Sequence, residues 1–427
     1  MHADRLVVVC GAGLSMAAPS SLPSAWRVAE NCFDNYQMNV DPDVDLSLRH
    51  DLEALAQHFV DANTLQSVFI ERLVPWGQFV RPPNAGHAAV ADFLTTKSAI
   101  AALSANYDTL IERCAVENGF DFQASLDGEE ATVRAATQGP LLKFHGCATK
   151  DRPATVWAPS QLNEPPIAGR IERSKEWMAA NLRQKDLLVV GFWSDWDYLN
   201  EILGNILGDI SPLSVTVFDP APVNELEEKA PSLWGIANGE GVNFVHVQQS
   251  GAEALDELRN AFSAKFLRLV LASGRETYEE ISGHVFENAL LEMEEFDSET
   301  LYGLRRDAEG VPIGQPATLS SPANCEILGA FHLLLRKAGA IQTALGYDLN
   351  GQSIRVVNGS GVALSKLKAR FTEAPSLEAA DIVAAPGATD YALPANVVRE
   401  GKAGDIVRPA PSGRWLDFER ARVELGI

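Results

Sequence analysis

The chain opens with a continuous apolar run, Leu6-Val7-Val8-Val9-Cys10, the pattern of a strand buried on both faces. Shorter runs of the same type recur at Ile100–Leu103, Leu141–Phe144, Leu187–Val190, Val215–Phe218 and Val242–Val247. Between them lie stretches with apolar residues three and four apart: Asp51–Ala62, Ala88–Leu94, Thr109–Glu117, Arg170–Leu182 and Trp196–Leu207. Strand alternating with helix in this way predicts an α/β fold, a doubly wound Rossmann-like domain with a mostly parallel sheet. The pattern is complete near Phe266, so the first domain is expected over residues 1–266.

Residues 267–427 have a different texture. From Glu276 to Glu299 nine acids and no Lys or Arg accompany Tyr278, Ile281, Val285, Leu290 and Met293, a partial helical stripe with a solvated acidic face. A second helix is expected over Cys325–Leu345, and strand-like pieces over Ser353–Val357 and Val362–Leu367. A Gly-, Pro- and Ala-rich loop is expected over Pro386–Arg414. This α+β extension carries no catalytic motif and reads as an assembly or partner-docking domain.

Composition narrows the function. Across 427 residues, 35 Lys and Arg stand against 57 Asp and Glu, a formal charge of −22. Direct binding to nucleic acid or to an anionic membrane needs a basic footprint and is not expected. A small anionic ligand remains open, because backbone amides and helix N-termini can hold it. Cys10, Cys32, Cys114, Cys147 and Cys325 are scattered and never spaced C-x-x-C, which predicts neither disulfides nor a zinc site and fits a reducing cytoplasm. The first apolar run leads into a glycine turn, not a cleavage site, and no run approaches the roughly 18 residues of a membrane span.

Five segments could carry chemistry. Gly11-Ala12-Gly13-Leu14-Ser15 follows the first strand, where a glycine turn lets backbone amides approach a pyrophosphate; it also reads simply as a tight strand-to-helix turn. Met16 stands where a redox dinucleotide fingerprint has its third glycine, and Ser15 follows the glycines instead of lying between them as a serine nucleophile would. Asn106-Tyr107-Asp108 ends the second strand; Asn and Asp there can bond a ribose hydroxyl or a water, and Asp108 is also a natural helix cap. Lys143-Phe144-His145-Gly146 ends the third, with a histidine suited to proton transfer or to a structural role. Gly191-Phe192-Trp193-Ser194-Asp195 and Phe218-Asp219-Pro220 end two more strands at the same sheet edge.

In this order, and with Pro83-Asn84-Ala85-Gly86-His87-Ala88 between the first two, these motifs resemble the sirtuin superfamily over about residues 5–250. The resemblance implies NAD bound across Gly11, Ala12, Gly13 and Ser15, with Asn106 near the nicotinamide ribose and attacking water, Asp108 its motif partner, and His145 the catalytic histidine. It sets Trp26 and Arg27, in Pro23-Ser24-Ala25-Trp26-Arg27, at the family's Pro-Asp-Phe-Arg loop, and Gly191 and Ser194 at its Gly-[Ser/Thr]-Ser stretch. Asp219 joins these as an expected cofactor-binding residue. Protein-deacylating sirtuins usually carry a zinc ribbon of paired C-x-x-C motifs after the catalytic histidine, whereas from His145 to Leu187 this chain has only Cys147. A sirtuin-like fold without that ribbon is similar to the sirtuin-like domains of bacterial antiphage systems: Thoeris effectors, short-Argonaute partners and HerA-associated proteins.

That resemblance implies an NAD glycohydrolase yielding nicotinamide and ADP-ribose, with NAD as substrate and no metal. It further implies a defence effector, a homo-oligomer or the companion of a HerA-like ATPase or short Argonaute. Two alternatives stand beside it: an NAD-dependent protein deacylase, and a non-enzymatic NAD or ADP-ribose sensor scaffold.

Overall fold

Strand β1 (Leu6–Cys10) is buried on both faces from Val7 to Cys10, and its neighbours build outward from it. Six strands form one parallel sheet in the order β3-β2-β1-β4-β5-β6. They are β1, β2 (Ala101–Ser104), β3 (Leu141–Leu142), β4 (Asp186–Val190), β5 (Ser214–Phe218) and β6 (Asn243–Val247). Val8 pairs with Ala102 on one side and Leu188 on the other, so the apolar runs stack in register across the sheet. The structure is a computed structural model describing residues 5–135, 139–193, 211–313, 315, 325–371, 380–389 and 414–427.

Helices alternate with these strands as the pattern requires: α1 (Ala12–Met16), α2 (Ala25–Asn39), α3 (Leu52–Asp61), α4 (Ala85–Thr95), α5 (Leu110–Glu117), α6 (Gly128–Ala135) and α7 (Pro165–Asn181), of which α2 and α3 pack on each other in a core of their own. One core packs Val7, Val9, Leu103, Leu142, Met178 and Leu187; a second gathers Phe33, Phe59, Phe69 and Trp157. The fold is α/β, doubly wound and Rossmann-like, as the sequence predicts. Strand β3 is shorter than the expected Leu141–Phe144, because the chain turns at Lys143, whose carbonyl accepts the Gly146 amide at 3.2 Å. The helix expected over Trp196–Leu207 lies outside the described residues.

The chain divides into two compact units, Met1–Asp256 and Glu257–Ile427. The second holds a mixed sheet in the order β11-β10-β9-β8-β7. Its strands are β7 (Ile341–Thr343), β8 (Gly346–Leu349), β9 (Gln352–Val356), β10 (Ile382–Ala385) and β11 (Arg414–Asp417). The first three form antiparallel hairpins and the last three run parallel. The long acidic helix expected over Glu276–Glu299 is corrected to a short one, Arg275–Ser282, which ends at Gly283 in the left-handed conformation (φ +67). The expected helix Cys325–Leu345 is Glu326–Lys337 followed by β7, and Val362–Leu367, expected as strand-like, begins a helix over Leu364–Arg370. Of the expected loop Pro386–Arg414, residues 390–413 lie outside the described residues. Among the described residues, no helix is long and apolar enough to cross a membrane.

Candidate active site

The strand order reverses at β1, which has β2 on one side and β4 on the other. In a doubly wound sheet the helices leave opposite faces on either side of such a point, and a crevice opens beyond the strand ends. Here that crevice is a cleft of about 990 Å³. Gly11, Ala12, Gly13 and Ser15 line it after β1, Asn106 and Asp108 after β2, His145 after β3, Gly191 after β4 and Asp219 after β5. One cleft thus brings together residues separated by more than 200 positions in sequence.

The glycines serve close packing between two strand ends. A Cβ on Gly11 would lie 2.4 Å from the Gly191 carbonyl oxygen, and one on Gly191 would lie 2.4 Å from the Leu14 amide nitrogen. Gly191 also has φ +58, a left-handed conformation that a side chain would strain. The Gly11 amide donates to Val190 O at 3.0 Å and the Gly13 amide to Gly191 O at 2.9 Å. Both amides are therefore committed to joining β1 and β4.

Behind this turn is a buried polar network. The Asn84 side chain caps α4 by accepting from the His87 amide at 3.2 Å, while the Asn84 amide donates to His87 Nδ1 at 3.1 Å. With Nδ1 an acceptor, neutral His87 carries its proton on Nε2 and donates to Ser15 Oγ at 3.0 Å. Ser15 in turn donates to Asp108 Oδ2 at 2.8 Å. Burial pushes His87 down to about 4, Lys143 adds to that, and Asp108 opposes it. The carboxylate bonds the serine rather than the histidine, and the histidine gives a proton rather than taking one. This arrangement holds Ser15 in place and cannot activate it as a nucleophile.

Asn106 joins the network from the cleft side. Its Nδ2 donates to Gly11 O and to Ser15 Oγ, each at 3.1 Å, which spends both amide protons and leaves its carbonyl oxygen as the atom it offers a ligand. Asp108 Oδ1 accepts the Leu110 amide at 3.1 Å, so its carboxylate both orients Ser15 and holds the first amide of α5, whose N-cap position is Thr109.

His145 is buried, with Nδ1 3.2 Å from the Ala105 carbonyl oxygen, which fixes the proton on Nδ1 and makes Nε2 the basic nitrogen. Nε2 faces the Tyr107 hydroxyl at 3.4 Å, and that hydroxyl donates to the Val156 carbonyl. Burial pushes His145 down to about 3; the hydrogen bond to Ala105 opposes this and Arg170 reinforces it. The ring is neutral around neutral pH. Tyr107 stacks on it at 4.9 Å, and Trp157 on Tyr107 at 4.4 Å, a rigid aromatic wall. Gly146 has φ +115, and a Cβ there would meet Thr155 Cα at 2.9 Å, so the turn carrying His145 admits no side chain next to it.

Four remaining residues fare differently. Trp26, at the start of α2, is half exposed, lines the cleft and stacks on His50 at 4.4 Å. Arg27 points outward: it pairs with Glu30, its guanidinium lies 5.0 Å over the Trp26 ring, and it does not line the cleft. Ser194 lies outside the described residues. Asp219 accepts the Ala221 amide at 2.8 Å at the β5 end. Among the described residues, no group of three or more His, Cys, Asp and Glu gathers as a metal site, and the five cysteines are buried and form no disulfide.

Sequence reasoning gave no role to Trp157, Lys143 or Glu112. Trp157 sits in a segment without a motif, and the Lys143–Glu112 pair joins residues whose proximity only the fold creates. Asn84 and His87 were visible as part of a motif, but their capping of α4 needed the geometry.

No protein-family model matches the chain, and no curated protein matches it. Among solved structures it is similar to a Sir2 homologue in complex with NAD, at 18% identity and a TM-score of 0.33, over 59% of this chain and 87% of that one. It is also similar to a structure described as the structural basis for the mechanism and regulation of Sir2 enzymes, at 18% identity and a TM-score of 0.30, over 59% of this chain and 90% of that one.

Proposed function

We propose that the first unit is an NAD glycohydrolase, cleaving NAD with water to nicotinamide and ADP-ribose and releasing a proton. The observation that carries this reading is the convergence of Asn106 and His145 on one cleft at the switch point of the sheet. The cleft, at about 990 Å³, is at the upper end of ordinary ligand sites, and an extended dinucleotide needs such room.

Loss of nicotinamide from ribose passes through an oxocarbenium-like state, and water adds to the same carbon. Asn106, its amide protons spent on Gly11 and Ser15, presents its carbonyl oxygen to orient that water or a ribose hydroxyl. His145 Nε2 accepts the proton that the water or hydroxyl loses, a contribution of about 10²–10⁴-fold. Asp108 and His87 act one step removed by holding Ser15, and through it Asn106. Trp26 and Asp219 line the same cleft, where they would contact the remainder of the dinucleotide.

Hydrolysis is preferred to deacylation of acyl-lysine because the segment from His145 to Leu187 holds one cysteine, not the two pairs of a zinc ribbon. Incubation with NAD alone and with NAD plus an acyl-lysine peptide separates the two. Peptide-independent nicotinamide release is expected; release only with peptide, together with O-acyl-ADP-ribose, would reassign the enzyme as a deacylase. Binding of NAD without turnover in either arm would favour the sensor reading.

A cytoplasmic enzyme that depletes NAD must be restrained, and we assign it the role of an antiphage effector switched on by assembly. The second unit would then support a homo-oligomer or docking to a HerA-like ATPase or short Argonaute. Specific activity is expected to rise with oligomeric state; constant activity across dilution and across size fractions would remove this regulatory reading.

A further inference from the structure

Beneath the cleft lies a charge that the chemistry above does not use. Lys143, two residues before His145, is 1% exposed. Its ammonium sits 3.0 Å from Glu112 Oε1 of α5, donates to the backbone carbonyl of Asp108, and lies 3.8 Å from Cys147 Sγ. Burial alone would lower Lys143, but Glu112, with Cys147 and Asp108 near it, holds it above its ordinary value, so the side chain stays charged. A buried ion pair is an expensive way to gain stability, because desolvation can exceed the Coulombic gain and apolar side chains of similar volume often do as well.

What the pair achieves is a connection. The loop Asn106-Tyr107-Asp108 and the segment from Lys143 to Ala148 carry the two groups assigned to chemistry. Beside the contact of His145 Nε2 with the Tyr107 hydroxyl, two bonds join them: Lys143 bonds the Asp108 carbonyl, and the Ala148 amide donates to the Tyr107 carbonyl at 2.8 Å. Each bond spans these two segments, with Asn106 at the start of one and His145 within the other. Glu112 ties the clamp to α5, whose first amide Asp108 accepts.

We infer that Lys143 is a positioning residue whose ammonium, neutralised by Glu112, clamps the Asp108 carbonyl and so sets the spacing between Asn106 and His145. The catalytic consequence rests on the glycohydrolase reading; the clamp itself does not. A displacement of about 1 Å in such a site can cost about 10²-fold in rate with little effect on binding.

The test uses the full chain as Lys143→Met and as Lys143→Met/Glu112→Leu. The single change leaves Glu112 buried beside an apolar group and is expected to lose stability; the double change removes both charges and is expected to regain most of it. The double variant is then expected to unfold within a few degrees of the wild type, keep KM for NAD within about threefold, and lose about 30- to 100-fold in kcat. Wild-type kcat in the double variant, or a raised KM with kcat intact, would overturn the inference. Histidine ring NMR supplies a readout that needs no turnover. The His87 and His145 signals are expected to shift in the double variant while that of His332, in the second unit, stays. If the wild type proves unable to cleave NAD, shifted signals still support the clamp, and an unmoved His145 overturns it.

Discussion

His87 Nε2 lies 3.0 Å from Ser15 Oγ, and the proton in that bond belongs to the histidine. The serine beside the glycine turn is thus a junction, receiving from His87 and Asn106 and giving to Asp108. Ser15→Ala would leave His87 and Asp108, both buried, and the half-buried Asn106 each short of a partner. It is expected to destabilise the chain by about 1–3 kcal/mol and to reduce NAD cleavage through a loosened Asn106. A fluorophosphonate probe of nucleophilic serines is expected to leave Ser15 unlabelled; stoichiometric labelling there would contradict the tautomer assigned to His87.

Acid should weaken the fold. His87 and His145 are buried neutral, with values lowered to about 4 and about 3, against about 6.5 in an unfolded chain. A lowered histidine stabilises the fold fully above the unfolded value, and that stabilisation is lost as pH falls from about 6.5 through the folded value. Each such histidine adds up to about 1.4 kcal/mol per pH unit to the slope over that window. Denaturant unfolding at pH 7.5, 6.0 and 4.5 is expected to show this decline, and His145→Ala to make it shallower. An unchanged slope in the variant would show that His145 titrates normally in the folded chain.

Gly191→Ala tests the junction of β1 and β4. The left-handed backbone alone is expected to cost about 1–3 kcal/mol, and the new Cβ would press on the Leu14 amide at 2.4 Å. Thermal melts should show a lowered midpoint, and isothermal titration a weakened affinity for NAD. A variant as stable as the wild type would mean that the turn can open without penalty.

The first sheet was legible because its strands are uninterrupted apolar runs: Leu6–Cys10, Leu187–Val190 and Val215–Phe218 pair in register where those runs lie. Asn106 and His145 stood out because each follows such a run, at the edge where an α/β crevice forms. The use of Gly11 and Gly13 was not legible, since their amides bond Val190 and Gly191, about 180 residues away in sequence. The Lys143–Glu112 pair was hidden for the same reason. In the second unit, Gly283 breaks the acidic stripe that the apolar spacing suggested, because a left-handed glycine end outweighs a partial periodicity. The β8–β9 hairpin did carry a local signal, Asn350-Gly351, both with positive φ as a two-residue turn requires.

Asp219 should influence which dinucleotide is accepted. Its carboxylate, at the end of β5 on the cleft wall, suits a ribose hydroxyl and repels a 2′-phosphate. NADP is expected to be cleaved at least about tenfold more slowly than NAD, a difference of about 1.4 kcal/mol, with Asp219→Asn narrowing the gap. Equal rates for the two in the wild type would place the adenosine ribose elsewhere.

Nicotinamide release from NAD by the wild type and by His145→Ala, at matched oligomeric state and with folding checked by circular dichroism, addresses the proposed chemistry at its source. A fall of about 10²–10⁴-fold in the variant, with its fold intact, is expected if Nε2 of this buried neutral imidazole takes the proton. Wild-type rates in a folded His145→Ala chain would contradict it.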